Sequence, residues 1–457
     1  MMEHELDLLV IGWGKGGKTL AGTASRAGQR VAIIEASAQM YGGTCINIGC
    51  VPTKTLIHDA ENNIGNDFDP QYFQTAVARR DKLTAAMRAK NFSMLDDLNA
   101  VMTITGRATF IGPRRIKVEA GNESLELEAK RIIINTGALP AIPDLGGARV
   151  GGRIHDSTTL QDAPLPQRLV VVGGGYVGTE FASMFAHFGS KVTVLDRGAR
   201  ALKREDEDVA AEVLSALSDV DVEVRTGASV QRIEEDGATA RVHYEQHGEA
   251  RSVVADAVLI ALGRKPATAG LGLETAGIEL TDSGAIKVDE HLATSAPGVY
   301  ALGDVNGGQQ FTYVSLDDNR IVADAILGTG ERSTADRVAV PYTIFTTPPL
   351  ARVGMSEDEA GAQGLSIKVA VKKVAEIAAM PRPKIVGDPR GIVKFVVDAD
   401  TDQILGAALM HVDSQEVINL VALAMRQELT SATLRDSIFT HPSSTEALNE
   451  VLGSFTR

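Results

Sequence analysis

The sequence predicts an α/β protein: two Rossmann-like dinucleotide-binding units followed by a separate C-terminal α+β domain. Three observations carry this. A β-run, a glycine loop, a helix and a second β-run occur in that order twice, at residues 6–35 and 169–196, the setting a dinucleotide fingerprint requires. Each copy ends its second strand on an acid, Glu35 or Asp196. After Val338 the alternation gives way to short strands at 343–345 and 391–397 and an apolar helix at 416–425.

A chain of 457 residues suggests about three domains. Apolar residues make up 44% and charged residues 23%, a globular balance that leaves ample surface to bury. Lys plus Arg number 45 against 59 Asp plus Glu, a net charge of −14, which argues against a nucleic-acid partner. Apolar runs such as Leu8–Ile11 and Leu169–Val172 fall far short of the ~20 residues that span a bilayer, so no membrane is expected. The start, Met1-Met2-Glu3-His4-Glu5, lacks the basic and apolar regions of a secretory leader. A cytoplasmic enzyme is expected.

In the first copy, strand 6–11 runs into Gly12-x-Gly14-x-x-Gly17, then a small-residue helix to Ala27 and strand 30–35. The glycines give a tight turn, a bare backbone against a pyrophosphate and close helix–strand contact, with the phosphates on the helix N-terminus. Glu35 lies 18 residues past Gly17, near the ~20 of a ribose-binding acid. Residues 71–98 read as a helix with Phe73, Val77, Leu83 and Met87 on one stripe. Residues 101–135 read as a β-meander with turns at Gly112-Pro113 and Gly121-Asn122. Ala163-Pro164-Leu165-Pro166 is a linker into the second copy, Gly173-x-Gly175-x-x-Gly178, with a helix through His187. Asp196 again lies 18 residues past the third glycine. A carboxylate there accepts from the 2′-OH of NADH and repels the 2′-phosphate of NADPH, so NADH is the expected cofactor; Arg197 and Arg200 could soften that preference.

The chain has two cysteines, Cys45 and Cys50, in Gly42-Gly43-Thr44-Cys45-Ile46-Asn47-Ile48-Gly49-Cys50-Val51-Pro52-Thr53-Lys54. That spacing is not a usual zinc pattern, and no second ligand pair closes a site; no metal is expected. The pair can bridge if the helix is distorted, which Gly49 and Pro52 permit, and a thiolate near a helix N-terminus has a lowered pKa. Two buried structural cysteines are the alternative at this spacing.

This segment and both glycine loops resemble the FAD-dependent pyridine nucleotide–disulfide oxidoreductases, which include dihydrolipoamide dehydrogenase, glutathione reductase and mercuric reductase. The resemblance covers essentially the whole chain. It implies an FAD-binding domain at 1–150, an NAD(P)H-binding domain at 151–265, a return to the FAD or central domain at 266–338 and a dimerisation domain at 339–457. Electrons would pass from NADH to FAD to the Cys45–Cys50 disulfide, with Cys50 facing the flavin and Cys45 meeting substrate. Lys54 would stand beside the flavin with Glu180 as its ion-pair partner, and Tyr176 would gate the nicotinamide pocket. Thr44 is expected at the FAD, and Asp304, in Ala301-Leu302-Gly303-Asp304-Val305, on its ribityl chain. Asn135-Thr136-Gly137 and Leu262-Gly263-Arg264 would be sheet-end turns pressing on the cofactors.

His441, in Thr440-His441-Pro442-Ser443-Ser444-Thr445-Glu446, matches the family's general acid/base, with Glu446 orienting its ring. An imidazole near ~6.5 can shuttle a thiol proton at neutral pH. Ser443-x-x-Glu446 is also a capping box for the final helix. In the family this histidine completes the partner's site, which implies a homodimer.

The first strand opens at residue 6 and no cysteine lies near residue 457, which disfavours mercuric reductase and thioredoxin reductases with a redox tail. The complete cysteine pair disfavours soluble transhydrogenases. Gln310-Phe311-Thr312-Tyr313-Val314-Ser315-Leu316-Asp317-Asp318, Thr347-Pro348-Pro349-Leu350 and the cysteine segment together resemble the bacterial reactive-chlorine-resistance flavoproteins. That implies a small-molecule oxidant as substrate, hypothiocyanous acid and/or Cu(II). Dihydrolipoamide dehydrogenase, a glutathione-type reductase and a non-turnover flavin redox sensor are the alternatives.

Overall fold

The computed structural model describes residues 5–65 and 67–455; residues 1–4, over which the leader reading runs, lie outside them. The chain forms two compact units. One takes residues up to Leu56 with Gln74–Ala141 and Gly263–Arg337, the other Ile57–Phe73, Ile142–Leu262 and residues from Val338 onward.

The first unit is built on a mixed sheet. Strands Val101–Thr105, Val31–Glu35, Glu5–Ile11 and the C-terminal half of Glu123–Ile134 run parallel, with Val299–Ala301 beside the last. Leu8, Leu9 and Val10 are fully buried, as strands covered on both faces must be. Register decides where the site lies. Ile11 pairs with Ile34 and Ile134, and Ile134 with Ala301, so Gly12, Glu35, Asn135 and Leu302 emerge together at the carboxyl edge. The Lys15–Arg26 helix packs Leu20, Ala21 and Ala24 into the core.

The meander expected over 101–135 is shorter than the sequence suggests. Arg107–Gly112, Arg115–Ala120 and the N-terminal half of Glu123–Ile134 are antiparallel, but Val101–Thr105 joins the parallel strands. In the Pro70–Asp96 helix, Phe73 is buried as expected, whereas Leu83 is 39% exposed. The buried positions after Phe73 are Ala76, Arg80, Thr84 and Leu95. Two of these are polar, so counting apolar residues misplaces the stripe.

In the second unit, strands Val222–Arg225, Lys191–Leu195, Arg168–Val172, Ala257–Ile260 and Ile154–His155 form a parallel sheet. Val172 pairs with Leu195 and Ile260, which brings Gly173, Asp196 and Ala261 to one edge. Residues 228–255 add a three-stranded antiparallel sheet. The C-terminal segment is a five-stranded antiparallel sheet, Tyr342–Ile344, Leu350–Gly354, Ile404–Met410, Ile392–Asp398 and Ile367–Lys373 in spatial order. The Ser414–Arg426 helix lies on its Leu350 and Ile404 strands.

Candidate active site

The two glycine loops are built alike. Glu35 Oε2 accepts from the Trp13 N–H at 3.0 Å, and Asp196 Oδ2 from the Gly174 N–H at 2.8 Å. Each acid thus braces the residue after the first glycine of its own loop. Gly12 and Gly173 have φ of +97° and +110°, a region side chains rarely enter. A Cβ on Gly12 would lie 2.5 Å from the Asn135 carbonyl, and one on Gly14 2.4 Å from Asn135 Oδ1. Gly17 and Gly178 press on their own sheets, where a Cβ would meet Val10 at 2.8 Å and the Gly173 carbonyl at 2.0 Å. Gly175 has open space over its Cα. Bare backbone at a strand's carboxyl end, a helix starting there and a ribose-type acid fit one dinucleotide in each unit.

Asn135, expected from the sequence only as part of the turn with Thr136 and Gly137, ties the first site together. Its Oδ1 accepts from Gly17 N–H at 2.8 Å and its Nδ2 donates to the Leu302 carbonyl at 2.6 Å. Ser315 Oγ accepts from Gly16 N–H at 3.1 Å. Two N–H groups in the first turn of the Lys15 helix therefore already have partners. Asp304 lies in the Gly303–Asn306 turn, and burial pushes its carboxyl up while Arg264 opposes the shift. The Gly303 N–H before it donates to buried Asp318, which pairs with Arg337 at 2.5 Å. Thr136 spends its hydroxyl on the Ala267 carbonyl at 2.8 Å. Gly137 and Gly263 sit in left-handed turns joined by the short 138–140 and 264–266 pairing. A Cβ on Gly137 would lie 3.9 Å from Thr44 Oγ1.

The cysteine segment is two helices, Thr44–Asn47 and Cys50–Glu61. The distortion that Gly49 permits is present: Ile48 and Gly49 N–H both donate to the Thr44 carbonyl. Pro52 is tolerated because it falls in the first turn of the second helix. Cys45 thus ends up on one short helix and Cys50 at the N-terminus of the next, both as free thiols. The hydrogen bond from Cys45 to Cys50 is the leading cause of their opposite shifts. It pushes the Cys45 thiol up, as burial does, and lowers Cys50 to about 6 against the resistance of burial. Thr312 Oγ1, 3.7 Å from Cys50 Sγ, and the charge of Lys54 one turn on both favour the Cys50 thiolate. Thr312 is a site residue that sequence reasoning did not single out from its segment. Among the described residues no group of three or more His, Cys, Asp or Glu is placed to hold a metal ion, and no helix is long and apolar enough to cross a membrane.

In the second unit, Asp196 also accepts from Gly198 N–H at 2.6 Å. Arg200 turns its guanidinium onto the Glu205 carbonyl at 3.0 Å. Tyr176 opens the helix after the glycine loop. Its ring stacks on Tyr342, centroids 5.5 Å apart, and its hydroxyl donates to Glu205 Oε1 at 2.8 Å. Glu205 also takes the Tyr342 hydroxyl at 3.1 Å and Arg352 at 2.8 Å. Glu180, on the same helix as Tyr176, accepts from the Phe345 N–H at 2.8 Å.

His441 is 70% exposed, with Nδ1 2.9 Å from Glu446 Oε1. Glu446 Oε2 meanwhile accepts from Ser443 N–H at 2.8 Å. Although burial works against it, these bonds hold the carboxyl below its usual range. The capping box is only half formed: the final helix begins at Ala447, and the buried Ser443 hydroxyl makes no hydrogen bond. One carboxylate performs both tasks, one oxygen for each.

Residues 6–319 match the pyridine nucleotide–disulphide oxidoreductase family, and residues 340–452 match that family's dimerisation domain. The chain is 47% identical over 449 residues to the probable pyridine nucleotide–disulfide oxidoreductase RclA of Escherichia coli K12, covering 98% of this chain and 99% of that protein. It is 33% identical over 456 residues to a mercuric reductase of Staphylococcus aureus, covering 98% and 82% respectively. Among solved structures, the Cu(II) complex of the HOCl-induced flavoprotein disulfide reductase RclA from Escherichia coli superposes with a TM-score of 0.93 at 46% identity, covering 98% of this chain and 99% of that one. Two braced dinucleotide loops, a thiol pair split across a helix break and matches along nearly the whole length agree: the chain is an oxidoreductase and belongs to the pyridine nucleotide–disulphide oxidoreductase family.

Proposed function

We propose that the chain is a cytoplasmic, NADH-dependent reductase of small oxidants, hypothiocyanous acid and/or Cu(II), acting in oxidative-stress defence. The observation that carries the reading is the thiol pair split across a helix break, Cys45 on one short helix and Cys50 at the N-terminus of the next beside Thr312, a setting that favours Cys50 as the thiolate of the two. Likeness to an HOCl-induced disulfide reductase and to its Cu(II) complex supports the choice of oxidant.

Bound FAD supplies the two-electron link between NADH and the disulfide. The loop Gly12, Gly14, Gly17 with Glu35, Thr44, Gly137 and Asp304 would hold it, and Gly173, Gly175, Gly178 with Asp196 would hold NADH. Arg200's engagement with the Glu205 carbonyl leaves Asp196 to set the preference for NADH. His441, oriented by Glu446, takes the Cys45 proton, and its exposure suits a role toward the partner subunit of a homodimer. The Cys45 thiolate attacks the sulfur of hypothiocyanous acid; an S–S bond forms, the S–O bond breaks and hydroxide leaves. The Cys50 thiolate then attacks Cys45 Sγ, and thiocyanate leaves with the electron pair. Two thiolates and one HOSCN thus give one disulfide, one thiocyanate and one hydroxide. With Cu(II), two metal ions each take one electron as the pair oxidises.

Half-reaction kinetics test this. Cys45→Ser should still accept electrons from NADH but lose turnover with hypothiocyanite. His441→Ala should slow reoxidation by about 10²- to 10⁴-fold, the usual worth of a positioned acid/base, with reduction by NADH nearly unchanged. Full turnover by Cys45→Ser would overturn the thiol route.

A further inference from the structure

The Lys15–Arg26 helix carries Lys18 one residue past the last glycine of its loop. A residue there has no part in the glycine motif. Its ammonium donates to Asn91 Oδ1 on the Pro70–Asp96 helix, and Asn91 Nδ2 is fixed in turn on the Met87 carbonyl at 2.8 Å. Asn91 also packs on the cysteine segment: its Cγ lies 3.3 Å from where a Gly42 Cβ would stand. The next residue, Gly43, presses on the start of the Lys18 helix, with a Cβ there 2.8 Å from Gly14 Cα. Helix start, Asn91 and the turn leading into Cys45 therefore form one packed group. Lys18 and Cys45 are near enough for charge to act both ways, the lysine favouring the Cys45 thiolate and the thiolate favouring the ammonium. Burial, then Lys15, bring Lys18 down to about 8, so at neutral pH it is a cation held in a half-buried place.

We infer that Lys18, held by Asn91, forms an anion subsite beside Cys45 that receives a small pseudohalide anion, the departing thiocyanate. For the identity of that anion the inference rests on the oxidant reading above. The ammonium makes no bond to sulfur. It offsets negative charge as thiocyanate leaves Cys45 with the electron pair of the S–S bond, and a guanidinium could replace it.

The test is alkylation of Cys45 in the NADH-reduced holoenzyme, with the modified peptide identified by mass. Two reagents that differ only in charge are compared, anionic iodoacetate and neutral iodoacetamide. A nearby cation raises the iodoacetate rate relative to iodoacetamide, by at most about fivefold, the limit for a unit charge at contact distance in well-solvated surroundings. Lys18→Met should lower that ratio by up to this factor, Lys18→Arg should keep it, and Asn91→Leu should lower it in part. In the unmodified protein, thiocyanate should slow iodoacetamide at Cys45 more than chloride of equal ionic strength. An unchanged ratio in Lys18→Met, or equal slowing of both reagents, would overturn the inference, the latter by assigning Lys18 to the shape of the segment. Should Lys18→Met not fold, the thiocyanate protection decides. If the unmodified enzyme does not turn over hypothiocyanite, the oxidant reading fails while the alkylation ratio still decides the anion subsite.

Discussion

Glu205 is the junction of a buried polar network, and removing its charge should be costly. Its side chain is fully buried and faces Arg352, itself 4% exposed, at 2.8 Å. The hydroxyls of Tyr176 and Tyr342 complete its shell. Glu205→Gln leaves the Arg352 charge buried without its counter-charge, a change worth about 3–5 kcal/mol. Tyr342→Phe removes one donor of three to a charged acceptor, worth about 1.5–3 kcal/mol. Removing both charges together, Glu205→Gln with Arg352→Met, should recover much of the loss, because no uncompensated charge remains. Urea unfolding followed by far-UV circular dichroism measures all three, and Arg352→Met alone to close the cycle. The only tryptophan, Trp13, lies in the other unit, so its fluorescence is a poor reporter of this site. A cost below about 1 kcal/mol for Glu205→Gln, or additivity of the two charge removals, would refute the reasoning.

Two further predictions follow from the same geometry. Asp196→Ala loses the acceptor for Gly174 and Gly198 N–H and, on the proposed NADH reading, the ribose contact as well, and the ratio of kcat/KM for NADH over NADPH should fall at least about tenfold, the worth of ~1.4 kcal/mol. In the reduced protein the Cys50 thiolate, followed by ultraviolet absorbance, should titrate near 6 rather than the ordinary 9.0. Because the folded state ionises more readily, this group's contribution to stability is full above about 9 and gone below about 6. Lys54→Met should raise the midpoint; an unmoved midpoint would contradict the role given to its charge.

The parts legible in the sequence are those fixed by local backbone demands. Gly12 and Gly173 need positive φ, and Glu35 and Asp196 stand where their strands end, though their bracing of the loops 22 positions back is seen only in the structure. A helix break near Cys50 was permitted by the glycine and proline that bracket it, and the structure makes one there. His441 and Glu446 lie five residues apart and meet as a pair. What escaped is carried by contacts between distant segments. Ser315 meets Gly16 across 299 positions, Asn135 meets Gly17 across 118, and Tyr342 meets Glu205 across 137. Such pairs leave no periodicity. Thr312 and Lys18 look like any helix residues until the fold brings the cysteines to them. Leu83 erred the other way, an apolar residue on a face that solvent keeps.

The central claim is the identity of the oxidant, and NADH oxidation by the purified FAD-loaded protein tests it most directly. Hypothiocyanite, Cu(II), lipoamide and glutathione disulfide should be compared at matched NADH. The account predicts that kcat/KM for hypothiocyanite exceeds that for lipoamide and for glutathione disulfide by at least about tenfold, a difference of ~1.4 kcal/mol in transition-state stabilisation. A preference for lipoamide would contradict it and make the chain a dihydrolipoamide dehydrogenase in its chemistry.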